Sequence, residues 1–185
     1  MKSTASFNSD RLKSILLKLT ASKIDRKKAA DFVNKNPQTL LTLLGWALTP
    51  KKKRLYQTAA WVLEFILIYR IEWLQPHFDH FLKKIPKINS ESSKRPLSKI
   101  LYHYVKSKEH FNTLTKKEKL KIITLCFEWI LLPSKTATIA FAIKILILFQ
   151  KEFPWVKENL SDLTTNKILN TRPGLGASLR AIFKK

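Results

Sequence analysis

Residues 59–69 and 139–149 are so nearly free of polar side chains that a helix built from either could not rest on a surface. A helix that is apolar almost all round must be covered by neighbours on several sides. Each stretch is broken once by a charge, Glu64 in the first and Lys144 in the second, so neither supplies the ~20 apolar residues that span a bilayer. The neighbours must therefore be other parts of the chain. Elsewhere apolar residues recur at three- and four-residue steps, the helical period, with no sustained alternation and no hairpin-turn dipeptide. Glycine is confined to Gly45, Gly174 and Gly176, too few for a protein of many tight turns with positive φ. These features predict an all-α domain.

The period predicts about ten helices. The first covers 10–19, with Leu12, Ile15, Leu16 and Leu19 on one face, Ser9 or Asp10 as its cap, and 1–9 as a flexible N-terminus. The second covers 24–34. Pro37 seeds a third that ends near Leu48, because proline suits a first helical turn. The next helices are expected at 52–69 and 74–84, then a polar loop at 88–94 and a helix at 96–106 that opens on Pro96. Thr115 with Glu118 three residues on forms a capping-box pattern ahead of a helix at 116–132. The last are expected at 135–151, 155–170 and from Pro173, the short final one offering Leu175, Leu179, Ile182 and Phe183 for docking.

Two regions look alike. Shifted by 82 positions, Ala60, Leu63, Phe65, Ile66 and Leu67 fall on Ala142, Ile145, Ile147, Leu148 and Phe149. The same shift puts Trp73, Leu74, Phe78 and Phe81 on Trp155, Val156, Leu160 and Leu163. Half of that spacing is about 41 residues, within the HEAT and armadillo range. A single domain over 1–185 is expected, a HEAT-like or armadillo-like α-solenoid of stacked helical hairpins that close one another's apolar faces.

The string Tyr56-Gln57-Thr58-Ala59-Ala60-Trp61-Val62-Leu63-Glu64-Phe65 resembles the signature helix of a family of short bacterial HEAT-like helical-repeat proteins. Glu72-Trp73-Leu74-Gln75-Pro76-His77, Arg95-Pro96-Leu97-Ser98-Lys99-Ile100, Cys126-Phe127-Glu128-Trp129 and Phe149-Gln150-Lys151-Glu152-Phe153-Pro154-Trp155-Val156 fit it in order, over residues 20–185. Members are often labelled adenylosuccinate lyase and are otherwise of uncharacterised function. The resemblance implies the HEAT-like fold and little chemistry. The lyases are much longer and carry a serine-bearing loop ending Met-Pro-x-Lys-x-Asn-Pro. The nearest string here, Ser92-Ser93-Lys94-Arg95-Pro96, lacks that tail, so lyase activity is not expected.

Charge is the other strong constraint. The chain carries 35 basic and 13 acidic residues, a net charge of +22, which argues for attraction to polyanions. Lysine dominates arginine, which weakens any case for bidentate phosphate or base recognition. The run Lys51-Lys52-Lys53-Arg54 precedes a helix N-terminus and is a candidate phosphate or carboxylate site. Arg26-Lys27-Lys28 and Lys116-Lys117 with Lys119 and Lys121 could extend it, unless these are simply solvated faces.

Glu64, inside an apolar helix, needs a partner, because burying an unpaired carboxylate is costly. Arg95 or Lys99 could complete an internal ion pair, and Glu128 sits in a similar setting. His77 and His80 lack a third metal ligand in pattern. Cys126, the one cysteine, allows no intrachain disulfide and reads as a buried thiol. No nucleophile elbow, dinucleotide loop or Walker motif occurs, and no metal or cofactor is expected.

Trp61, Trp73, Trp129 and Trp155 read as core residues. DNA alkylation-repair glycosylases also use HEAT-like repeats, but that is an analogy of fold. The expectation is a non-enzymatic scaffold whose basic surface engages an acidic protein or a nucleic-acid backbone. A glycosylase-like repair protein and a protein–protein adaptor stand as alternatives. No signal peptide is expected, so the chain reads as cytoplasmic. Its oligomeric state is open.

Overall fold

The computed structural model describes residues 4–50, 53–132 and 134–165. Among them the regular elements are ten α-helices and short 3-10 turns, with no strand. The helices are α1 (Thr4–Lys18), α2 (Lys23–Lys35), α3 (Leu40–Ala47), α4 (Lys53–Leu67) and α5 (Phe78–Lys84). They continue with α6 (Glu91–Lys106), α7 (Lys108–Thr113), α8 (Lys116–Leu131), α9 (Thr136–Phe149) and α10 (Pro154–Thr165). The chain divides into two compact units, Met1–Ile100 and Leu101–Lys185, the division falling within the span of α6. No helix among the described residues is long and apolar enough to cross a membrane.

In the first unit α4 is central and packs against α1, α2 and α3. Ala59, Ala60, Val62 and Leu63 are fully buried, as its apolar circumference requires. Ser22 caps α2 by accepting from the Asp25 amide at 3.1 Å. The loop between α3 and α4 contains Lys51 and Lys52, which lie outside the described residues.

Three local expectations change here. Helix α1 begins at Thr4, so residues 4–9 are helical and Ser9 and Asp10 lie inside the helix instead of capping it. No proline or glycine stands in that segment to stop the helix. Residues 71–77 are a 3-10 turn ahead of α5. The segment expected as a polar loop buries Ile88 and Ser93, and α6 starts at Glu91, not at Pro96.

Pro96 therefore sits within a helix, where its missing N–H orphans the carbonyl four residues earlier, that of Ser92. The Trp61 indole Nε1–H donates to the Ser92 carbonyl at 2.9 Å. An α4 side chain thus replaces the bond that α6 cannot make for itself.

In the second unit α9 packs against α8 and α10. Its Ile139, Ala142, Ile143, Ile145, Leu146 and Phe149 are fully buried. Truncating one such Leu or Ile to Ala would cost about 2–5 kcal/mol. The capping box forms: Thr115 Oγ1 accepts from the Glu118 amide at 3.2 Å, and Glu118 Oε2 accepts from the Thr115 amide at 2.9 Å. Helix α7, which no periodicity announced, carries the buried His110 against Tyr104, ring centroids 4.7 Å apart. Glu128 is exposed, contrary to its expected setting, because α8 turns Leu125, Cys126, Trp129 and Ile130 inward. The helix expected from Pro173, with Gly174 and Gly176, lies outside the described residues.

Candidate functional site

The basic residues differ in what their charges already serve. In the first unit, Lys51, Lys52 and the side chain of Lys53 lie outside the described residues. Arg54, the described end of that run, donates from Nη2 to the Leu19 carbonyl just beyond α1. It therefore satisfies an orphan carbonyl at a helix C-terminus. Arg26 is similarly engaged, 5.5 Å over the Phe65 ring with Nε donating to the Ser22 carbonyl at 3.4 Å. Lys27 and Lys28 beside it are exposed. The Thr20 hydroxyl donates to the Asp25 carboxylate and is the main cause holding that carboxyl below its ordinary range, with Lys28 nearby adding to the effect.

Glu64 is buried, and Lys99 donates to its Oε1 at 2.8 Å. Arg95 is exposed and is not the partner. Gln57 Nε2 also donates to Ser90 Oγ at 3.1 Å. Gln57, Trp61 and Glu64 thus form one polar seam along α4 that meets Ser90, Ser92 and Lys99. This seam ties the N-terminal part of α6 to α4.

In the second unit Lys116, Lys117 and Lys121 are exposed on α8. Lys119 turns inward, paired with Glu152 at 2.7 Å and lying 4.4 Å over the Phe111 ring.

A different arrangement joins α6 to α9. Tyr102 and Phe141 are partly exposed, with ring centroids 5.8 Å apart and planes inclined by 42°. The Lys144 ammonium stands 5.4 Å from the Phe141 centroid and 5.9 Å from that of Tyr102. Lys106 also stands 5.9 Å from the Tyr102 centroid. Both lysines are exposed, and among the described residues neither meets a carboxylate within ion-pair distance. Two aromatic rings and two uncommitted cations therefore share one surface. Sequence reasoning missed it: Lys144 registered only as a break in an apolar run. The available signal was Tyr102 with Lys106 at i, i+4 and Phe141 with Lys144 at i, i+3, each pair on one helix face.

A groove of about 290 Å³ opens between α8 and α10, lined by Phe127, Leu131, Asn159, Asp162 and Leu163. Trp155 stacks on Phe127 at 6.1 Å and is 41% exposed, so it is not the core residue its sequence context suggested. Trp129 is buried, whereas Trp61 and Trp73 are partly exposed.

His77 and His80 join no metal-binding group among the described residues. Cys126 is fully buried, and burial pushes its thiol well above the ordinary range, which makes it a poor nucleophile. Comparisons of the chain with family models, with curated proteins and with solved structures find no match.

Proposed function

We propose that this chain is a non-enzymatic scaffold of HEAT-like helix pairs whose basic surface binds an acidic partner. The HEAT-like reading rests on repetition of pattern. Across the shift of 82 positions, Ala60 and Ala142, Leu63 and Ile145, and Leu67 and Phe149 are buried in both units, and Phe65 and Ile147 are half-buried in both. Ile66 and Leu148 depart, Leu148 being 36% exposed, as do buried Val62 against exposed Lys144, buried Ala59 against part-exposed Phe141, and part-exposed Trp61 against buried Ile143. Helices α4 and α9 each lie among helical neighbours, as helix-pair stacking requires. The resemblance to the short bacterial HEAT-like proteins points the same way.

The binding reading is carried by one observation: Lys106 and Lys144 stand beside part-exposed rings with no carboxylate partner among the described residues, in a chain of net charge +22. A cation held by ring contacts alone, with no ion pair, is available to an anion from outside. Binding to a polyanion should then weaken steeply with salt and depend little on sequence. Anisotropy titrations of labelled single-stranded DNA, duplex DNA and poly-glutamate at several salt concentrations test this. Absence of binding to all three at low salt would reject it.

A second reading has one observation in its favour. The Phe127–Trp155 stack stands beside a groove that also presents Asp162, the combination of aromatics and aspartate that a glycosylase-like repair protein requires. Release of free base from alkylated DNA, lost in Asp162→Asn, would establish it. No release would remove it.

A further inference from the structure

We propose that the Tyr102–Phe141 surface is a stacking platform for single-stranded nucleic acid, with Lys106 and Lys144 meeting the flanking phosphates. This rests on the polyanion reading and deepens it by naming the partner. Two features of the surface select the ligand.

First, the cations are loosely placed. At 5.4–5.9 Å from the ring centroids they sit near the outer limit of a cation–π contact. Lys119, by contrast, lies 4.4 Å over Phe111 and is also held by Glu152. Lys106 and Lys144 can swing to an incoming anion without breaking an ion pair.

Second, the rings are partly exposed, and the carboxylates of an acidic peptide would gain nothing from them. Carboxylates need the ammonium groups alone. A nucleotide strand offers a phosphate for each ammonium and a flat base for each ring, and stacking of this kind tolerates any sequence because every base has a π-face. A duplex hides those faces, so the single strand is favoured. The scarcity of arginine agrees with backbone attraction plus stacking in place of bidentate base reading.

The test uses the full chain and three labelled probes matched in charge: oligo-dT, an abasic deoxyribose-phosphate strand of equal length, and oligo-glutamate. At low salt oligo-dT should bind about tenfold or more tightly than the abasic strand. Tyr102→Ala should remove part of the oligo-dT advantage over the abasic strand, Phe141 keeping the remainder, and leave abasic binding unchanged. The exposed double substitution Lys106→Gln with Lys144→Gln should weaken both strands and reduce the salt slope by about 1.4, close to 0.7 per phosphate contact for a single strand.

Equal binding of oligo-dT and the abasic strand overturns the stacking proposal while leaving polyanion binding intact, and needs no variant to read. Tighter binding of oligo-glutamate overturns it in favour of an acidic protein. An unchanged salt slope in the lysine double variant places binding elsewhere and overturns the assignment of this surface. Failure of all three probes to bind removes the underlying reading as well.

Discussion

Glu64 occupies the position in α4 that Leu146 holds in α9 under the 82-residue shift, and Leu146 is fully buried. An apolar side chain therefore fits such a site, and the carboxylate is tolerated because Lys99 reaches it. The two partners are not equally sheltered: the Glu64 side chain is 9% exposed and that of Lys99 is 29%. Lys99→Ala strands the more buried charge and should destabilise the protein by about 1–3 kcal/mol. Glu64→Leu leaves a lysine that can reach water and should cost less. Urea denaturation measures both, and a larger loss in Glu64→Leu would contradict the account. Asp25 supplies a pH-dependent counterpart. Its carboxyl is held low chiefly by the Thr20 hydroxyl, so the folded state favours the ionised form. That contribution is present above the unfolded aspartate value and is lost as pH falls through the lower folded value. Thr20→Ala should raise the Asp25 titration midpoint in a carboxyl NMR titration, and an unmoved midpoint would reject the hydroxyl as the cause.

Between elements, the most informative contact is the Trp61 indole on the Ser92 carbonyl. Without it, Pro96 would leave the Ser92 carbonyl to water, with no donor from the protein. Trp61→Phe keeps the ring and removes the donor, and should cost about 0.5–1.5 kcal/mol. Pro96→Ala restores an amide to α6 that can serve the same carbonyl. In that background the cost of Trp61→Phe should shrink, and a double-mutant cycle gives the coupling directly. Purely additive effects would show that the indole does not replace the missing amide. The same contact bears on where α6 starts. Pro96 signals a helix start by local rules, but a donor from α4 lets the helix begin five residues earlier.

For the whole molecule, a charge of +22 means self-repulsion that folding must overcome. Raising ionic strength from about 0.01 M to 0.15 M shortens the screening length from roughly 30 Å to 8 Å. The melting temperature should rise by about 2–4 °C, the shift expected for ~1 kcal/mol in a chain of this size. A melting temperature that is flat or falling with salt would mean the cations are already neutralised within the fold. Arg54, Lys99 and Lys119 are engaged internally, but among the described residues Lys106, Lys144 and the exposed lysines of α2 and α8 are not paired in this way.

The order of residues alone determined the all-helical character, the burial of the helices around Leu63 and Ile145, and the capping box at Thr115. These depend on period, composition and spacing within a few residues, which local physics reads directly. Tertiary structure decided the rest. Lys99, not Arg95, meets Glu64; Arg54 closes the end of α1; and Tyr102 meets Phe141. Each joins residues more than thirty positions apart, where no local spacing specifies which faces will meet. The candidate surface belongs to this second class. Its two halves are ordinary stretches of helix until packing sets two rings and two unpaired cations side by side.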